Sequence, residues 1–183
     1  MNHYIDILIK PDAEMRENLL LNKVYSKLHK ALVDLKSSDI GVSFPQYKII
    51  LGKVLRLHGS EIKLSELQET DWLGGLKGYC NVRGIGPVPS EAHYRTIARK
   101  QSNMTEAKLR RLVKRGSIST GELKAYKAMM FTQGLDNPYL ELESSSNGHK
   151  HRRYIQFGEL SAESIDGLFD QFGLSKTATV PWF

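Results

Sequence analysis

Apolar and polar positions in the first half of the chain form six runs with two periods. Tyr4 to Lys10 alternates and stops at Pro11, the pattern of an opening strand. Residues 12–18 are polar and read as a turn or the start of a helix. From Leu19 to Leu35 the apolar positions Leu21, Val24, Leu28, Ala31, Leu32 and Leu35 recur at spacings of three and four. That period predicts a helix with Lys23, Lys27, Lys30 and Asp34 on its wet face. Ile40 to Phe44 predicts a strand closed by Pro45, and Val54 to His58 another after a turn at Gly52. Leu64 to Leu73 predicts a shorter helix ending at Gly74 and Gly75. Tyr79 to Val82 predicts a fourth strand. The order β-α-β-β-α-β is the ferredoxin-like arrangement, which buries two helices on one face of an antiparallel sheet. Glycines and prolines from Gly84 to Pro89 then punctuate the chain. The expected fold class is therefore α+β, with a ferredoxin-like domain over residues 1–90 and a smaller α/β domain over 91–183.

The second half predicts different elements. His93 to Gln101 reads as one strand, with Arg95, Arg99 and Gln101 on a shared face. Asn103 and Glu106 have the spacing of a capping box for a helix whose apolar stripe is Leu109, Leu112 and Val113. Gly116 breaks that helix. Ser119 or Thr120 caps another, running through Leu123, Tyr126, Met129 and Met130 to Phe131, with a stripe expected in the core. Gly134 ends it. Tyr139 to Glu143 and His149 to Phe157 predict a hairpin around the polar turn from Ser144 to Gly148. The apolar end, Val180-Pro181-Trp182-Phe183, is expected to dock on the core.

Charge adds a direction. The chain has 183 residues and a net charge of +6. Residues 91–115 hold eight Lys or Arg against two Glu, so that one stretch matches the charge of the whole chain. On the predicted helix Lys108, Arg111 and Arg115 fall on one side of the wet face, and Arg110 and Lys114 on the other. Like charges four apart repel each other in an isolated helix, and a densely anionic partner such as a nucleic-acid backbone offsets that repulsion. His149, Lys150, His151, Arg152 and Arg153 add a basic strand suited to phosphate. A solvated surface is the competing reading of such a run, but solvated faces normally mix signs.

Other chemistry is narrowed by what is missing from the sequence. Cys80 is the single cysteine, which excludes an internal disulfide and a thiolate-rich zinc site. No apolar run approaches the ~20 residues of a membrane span, and no signal peptide precedes the first strand, so a cytoplasmic protein without membrane contact is expected. Phosphate-loop, dinucleotide and metalloprotease motifs are absent, so no cofactor and no metal site are expected. His149 and His151 have no third ligand nearby, and the flanking Lys and Arg oppose a cation. The aromatic-rich motif of RNA-binding ferredoxin-like modules is also absent, so RNA is not expected to stack on the sheet face. His29 lies at the edge between the apolar and basic faces of its helix, a position that by itself is more often structural than catalytic. His3, His58 and His93 are open to the same reading.

Several stretches taken together resemble one family. They are the opening HYIDI, the KLHKAL helix segment with His29, Ile40 to Pro45, and Tyr94-Arg95 followed by Arg99-Lys100-Gln101. The LRRLVKR helix, the serine-rich hairpin, Gly173 to Lys176 and the terminal VPWF complete the set. In order and spacing the chain resembles the CRISPR repeat-processing endoribonucleases of type I-F systems. The resemblance implies a metal-free enzyme whose arginine-rich helix enters the major groove of a repeat RNA hairpin. It implies a cut at the 3′ base of the stem, leaving 2′,3′-cyclic phosphate and 5′-hydroxyl ends. It also implies that the protein stays on the mature guide RNA and joins the subunits of a surveillance complex.

Carried over by position, His29 is the catalytic histidine and Ser144 the serine that positions the attacking 2′-hydroxyl, with Ser146 beside it. Arg99 and Gln101 read bases at the foot of the stem. Arg110, Arg111, Lys114 and Arg115 lie in the arginine-rich helix, and His151 takes the place of a stacking aromatic. Arg95, Lys108 and Arg152 are the further basic side chains expected to meet RNA. Phe172 stands where a tyrosine is known in the family, so any restraint by that hydroxyl on His29 is lost. Leu109 and Lys114 also occupy positions that can be Arg, and a Lys supplies a point charge rather than a planar fork. The alternatives are a hairpin-binding subunit that does not cut, a DNA-binding regulator, and a structural subunit whose basic surface meets an acidic protein. The strand before Asn103 argues against a helix-turn-helix.

Overall fold

The structure is a computed structural model that describes residues 1–101, 106–132, 137–143 and 148–183, with backbone alone at 106–107, 120 and 129–132. Expected Asn103, Gly134, Ser144 and Ser146 lie outside the described residues.

The first half forms strand β1 (His3–Ile9), helix α1 (Glu17–Asp34), β2 (Gly41–Ser43), β3 (Val54–Gly59), α2 (Glu61–Glu69) and β4 (Cys80–Val82). A 3-10 turn, Gly74–Tyr79, precedes β4. The sheet order is β2-β3-β1-β4, every neighbouring pair antiparallel, and the short β5 (Gly86–Pro87) adds to β1. This is the ferredoxin-like order expected from the hydrophobic pattern. Ser60 caps α2 by accepting from the Lys63 N–H, which replaces an otherwise missing bond at that helix end. Ile5, Ile7, Ile9, Leu55, Leu57 and Val42 are buried with Leu20, Val24, Leu28 and Leu64 of the two helices.

The other face of the same sheet is polar. Asp6 pairs across strands with Arg56, and Gly41 with His58. Arg56 donates to both Asp6 carboxylate oxygens at 2.6 and 2.9 Å. It also donates to the Phe183 carbonyl at 2.9 Å, with its Cζ 3.9 Å from the Phe183 ring centre. The C-terminal tail therefore covers this face. β10 (Val180–Trp182) pairs antiparallel with β6 (His93–Arg95), and a Cβ on Gly41 would sit 2.6 Å from Val180. Only glycine admits the tail that close.

β7 (Ile97–Lys100), β9 (Lys150–Phe157) and β8 (Tyr139–Glu143) form a separate three-stranded antiparallel sheet. The single strand expected over 93–101 is thus two strands in two sheets. The chain changes partners at Thr96, whose carbonyl accepts from the Gly158 N–H at 2.9 Å. α3 (Glu106–Lys114) and α4 (Thr120–Thr132) lie between β7 and β8 in sequence. Leu109 is buried in α3, Leu112 half-buried and Val113 exposed, so the stripe is narrower than its spacing predicts. Ser119 caps α4 as expected: its N–H and hydroxyl both donate to the Glu122 carboxylate, which holds that acid below its ordinary range. Leu123 and Tyr126 are only half-buried, not core residues as their spacing predicts. Buried apolar residues of both halves, from Ile5 to Val180, join in one cluster.

Candidate active site

His29 sits one residue beyond fully buried Leu28 on α1, at the margin of the packed face, and is itself half-buried. Its Nδ1 lies 2.7 Å from the carbonyl oxygen of Gln171. A carbonyl only accepts, so in the neutral ring Nδ1 carries the hydrogen and the Nε2 lone pair is left as the base.

The carbonyl is held by a turn built on Asp170. The Asp170 side chain accepts from the N–H groups of Phe172 and Leu174, both at 2.9 Å, and its carbonyl accepts from Gly173. Gly173 has φ +68°, the left-handed region that favours glycine, and an added Cβ would meet Val42 at 2.6 Å. Tyr25, one turn before His29, donates its hydroxyl to the Phe172 carbonyl at 2.6 Å. Full burial pushes that phenol far above its ordinary range, so it stays a neutral donor.

Phe172 lies flat on His29, with ring centres 3.7 Å apart and planes 8° apart. The Cζ of Arg153, from β9, is 3.5 Å from the centre of the same phenyl ring. Arg153 is 6% exposed. Burial pushes its proton affinity down, Tyr25 and Asp170 favour its charge, and Arg99 opposes it. Sequence reasoning placed Arg153 with the basic hairpin residues suited to phosphate, but the structure turns it inward, unlike its exposed neighbours His151 and Arg152. The available signal was strand parity: Arg153 shares its face with Ile155, which is fully buried.

The other expected residues fall into five groups. Arg99, opposite Ile155, and Gln101, just past the end of β7, are exposed. Lys108, Arg110, Arg111, Lys114 and Arg115 are exposed on and just after α3. His151 and Arg152 are exposed on β9 opposite Leu142 and Glu141, with Arg152 Nε 3.8 Å from the Glu141 carboxylate. Arg95 is placed differently from Arg99. It donates to the Gly158 carbonyl and to the Tyr47 hydroxyl, and its Cζ lies 4.8 to 5.4 Å from the ring centres of Trp182, Tyr47 and Phe157. Its donors are taken up by Gly158 and Tyr47, and its guanidinium lies beside the Trp182 ring of the tail. Ser144 and Ser146 are outside the described residues, and β8 leads to them from Glu143.

A groove of about 560 Å³ runs between α1 and the β8–β9 strands, lined in part by Lys23, Ser26, Lys27 and Lys150. Among the described residues, no three His, Cys, Asp or Glu side chains are grouped so as to hold a metal ion. No helix among them is long and apolar enough to cross a membrane.

Residues 4–183 match the family model described as "CRISPR-associated protein (Cas_Csy4)". The chain belongs to this family. Two relatives, from Escherichia coli (strain UTI89 / UPEC) and Pseudomonas aeruginosa (strain UCBPP-PA14), are each named CRISPR-associated endonuclease Cas6/Csy4. Each is 36% identical to this chain, over 184 and 187 aligned residues, and the match spans the whole of both proteins. Among solved structures, the CRISPR endoribonuclease Cse3 bound to 19 nt RNA aligns with 99% of this chain and 100% of its own. Its TM-score is 0.41 and its identity 14%, a likeness too distant to add to the family assignment. In this Cas_Csy4 member the half-buried His29 lies in a chain matched from end to end by proteins named endonucleases.

Proposed function

We propose that the protein is a sequence- and structure-specific endoribonuclease that cleaves CRISPR precursor RNA at the 3′ base of the repeat stem-loop. The reaction is internal transesterification. His29 Nε2 takes the proton of the 2′-hydroxyl, the 2′-oxygen attacks the adjacent phosphorus, and the bond to the 5′-oxygen breaks as that oxygen gains a proton. The products are a 2′,3′-cyclic phosphate and a 5′-hydroxyl. Neither water nor a metal ion is required as a reactant.

One observation carries the reading: the Nδ1–H of His29 is tied to the Gln171 carbonyl, so the opposite nitrogen is the free base. An imidazole is the side chain best matched to proton abstraction at neutral pH. Ser144 is assigned to hold the 2′-hydroxyl in line, a contribution by orientation. Arg99 and Gln101 read base edges at the foot of the stem, where bidentate contacts to guanine and adenine discriminate. Lys108, Arg110, Arg111, Lys114 and Arg115 meet the hairpin groove and its phosphates, with Ser146, His151 and Arg152 along the hairpin strand. A-form RNA closes its major groove to side chains along the duplex, so access from the open end of a stem favours a hairpin over a long duplex. After cleavage the protein remains on the guide RNA and joins the surveillance complex.

The test is cleavage of the repeat RNA from the CRISPR array beside its own gene, in EDTA, by wild type and His29→Ala. Cyclic-phosphate ends from wild type alone, with hairpin affinity kept in the variant, are expected. Tight binding by both without cleavage would leave a hairpin-binding subunit instead.

A further inference from the structure

Arg153 is a cation in a place where a cation is expensive. It is nine-tenths buried, and among the described residues its Nε has no hydrogen-bond partner and no carboxylate lies within ion-pair distance of it. A buried charge without a pair destabilises a fold, and a well-packed apolar side chain of similar length avoids that penalty. The position must therefore draw something else from the guanidinium.

The surroundings indicate what. Arg153 Cζ is 3.5 Å from the centre of the Phe172 ring, and the His29 ring centre is 3.7 Å from the same point. Two groups at those distances cannot share a side, so Phe172 is enclosed between His29 and Arg153. Hydrogen bonds from Tyr25 and to Asp170 hold the backbone of Phe172 but leave its ring free to turn. A phenyl ring has no polar handle of its own. Its plane is set by the two faces packed against it, and a desolvated guanidinium over the π-face is an attractive one. The plane matters because the imidazole lies parallel to it within 8°. The Nδ1 bond to Gln171 fixes one point of the imidazole, and the phenyl ring fixes its rotation about that point. Together they set the direction of Nε2.

We propose that Arg153 is a positioning residue for the cleavage reaction: through Phe172 it holds the plane of the His29 imidazole and so aims the Nε2 lone pair. The proposal rests on the reading of His29 as the base. It also accounts for a working site with phenylalanine, and no phenol hydroxyl, beside that histidine.

The experiment uses the full chain as wild type, Arg153→Met, Arg153→Lys, Phe172→Leu and the Arg153→Met/Phe172→Leu double variant. Three quantities are measured: hairpin affinity, single-turnover cleavage at saturating protein, and the nitrogen NMR signals of His29 in protein free of RNA. Arg153→Met is expected to stay folded and bind the hairpin as wild type does, while its cleavage rate falls about tenfold, less than the roughly 10²-fold that a 1 Å misplacement costs. Arg153→Lys, which keeps the charge without the plane, falls between. The double variant is expected to be no slower than Phe172→Leu alone, because Arg153 acts through that ring. In wild type the NMR signals show one tautomer with hydrogen on Nδ1; in Arg153→Met both tautomers contribute.

A folded Arg153→Met protein with the wild-type rate and one His29 tautomer would overturn the proposal. So would penalties that multiply in the double variant, or a loss of affinity with an unchanged saturating rate, which would make Arg153 an RNA contact. If wild type does not cut, the endonuclease reading fails, and the NMR signals still decide whether Arg153 holds the ring.

Discussion

His29 and His58 flank the same sheet from opposite sides. His29 is on α1, which covers one face; His58 points from β3 into the face covered by the tail. His58 is fully buried, with Nε2 2.8 Å from the Ser43 hydroxyl and, among the described residues, no partner at Nδ1. Burial, then the charges of Arg56 and the N-terminus, push its proton affinity well below the ordinary value. A serine bonded to a histidine is the usual outline of a nucleophile and its base. Here the pair is sealed beneath packed side chains, where no substrate reaches it. His29 has no serine bonded to it among the described residues, yet it has what a base needs, one nitrogen fixed by an acceptor and the other left with its lone pair. Residue identity and pairing are the same kind of evidence at both sites. Access and the fixed tautomer separate them.

The sharpest way to break this comparison is to delete each imidazole. His29→Ala is expected to lower single-turnover cleavage by roughly 10²–10⁴, the range of general-base catalysis, with hairpin affinity and melting temperature unchanged. His58→Ala is expected to do the reverse. It leaves a cavity and a stranded Ser43 hydroxyl, and should lower unfolding free energy by about 2–4 kcal/mol in denaturant titrations while the folded fraction cuts at the wild-type rate. Cleavage lost in folded His58→Ala protein would refute the division of labour.

The same contrast holds between two arginines. Arg99→Ala is expected to weaken hairpin binding by about 1–3 kcal/mol and relax base preference at the foot of the stem. Arg95→Ala, measured in parallel, should lower the melting temperature and leave the base preference alone, because its donors bond Gly158 and Tyr47.

The smallest effect is on pH. His58 is a base with a depressed folded value, so protons bind the unfolded chain preferentially below the unfolded value of about 6.5. The stability from keeping it neutral is complete above that pH and declines on acidification, by at most about 1.4 kcal/mol per unit, until the folded value is reached. Removing the imidazole with His58→Gln should flatten that part of the stability curve, and an unchanged slope would assign the acid sensitivity to another group.

Much of the first half was legible before any coordinates. The three-and-four spacing of α1 and the alternation of β1 and β3 place residues correctly because burial on one face dictates both periods. That the apolar tail docks was legible from its composition, and the Ser119 cap from local spacing. Legibility failed where the partner was distant in sequence. Nothing local in 93–101 shows that the chain changes sheets at Thr96, since β10 and β9 decide it from 54 or more positions away. Val113 belongs to the right period but finds nothing to pack on. Arg95 and Arg99 carry the same side chain four residues apart and meet opposite environments.

By itself the sequence determined the element order of the first half, its ferredoxin-like topology and the basic helix, because these follow from periodicity, punctuation and charge close together in the chain; the joint motifs along the chain carried its resemblance to the family. It also marked His29 as a candidate. The tertiary structure alone decided which nitrogen of His29 carries the hydrogen, that Gln171 and Phe172 come back across about 140 positions to meet it, and that Arg153 stands behind the ring. Hydrogen-bond direction and stacking are relations between surfaces, and those surfaces do not exist until the chain has packed.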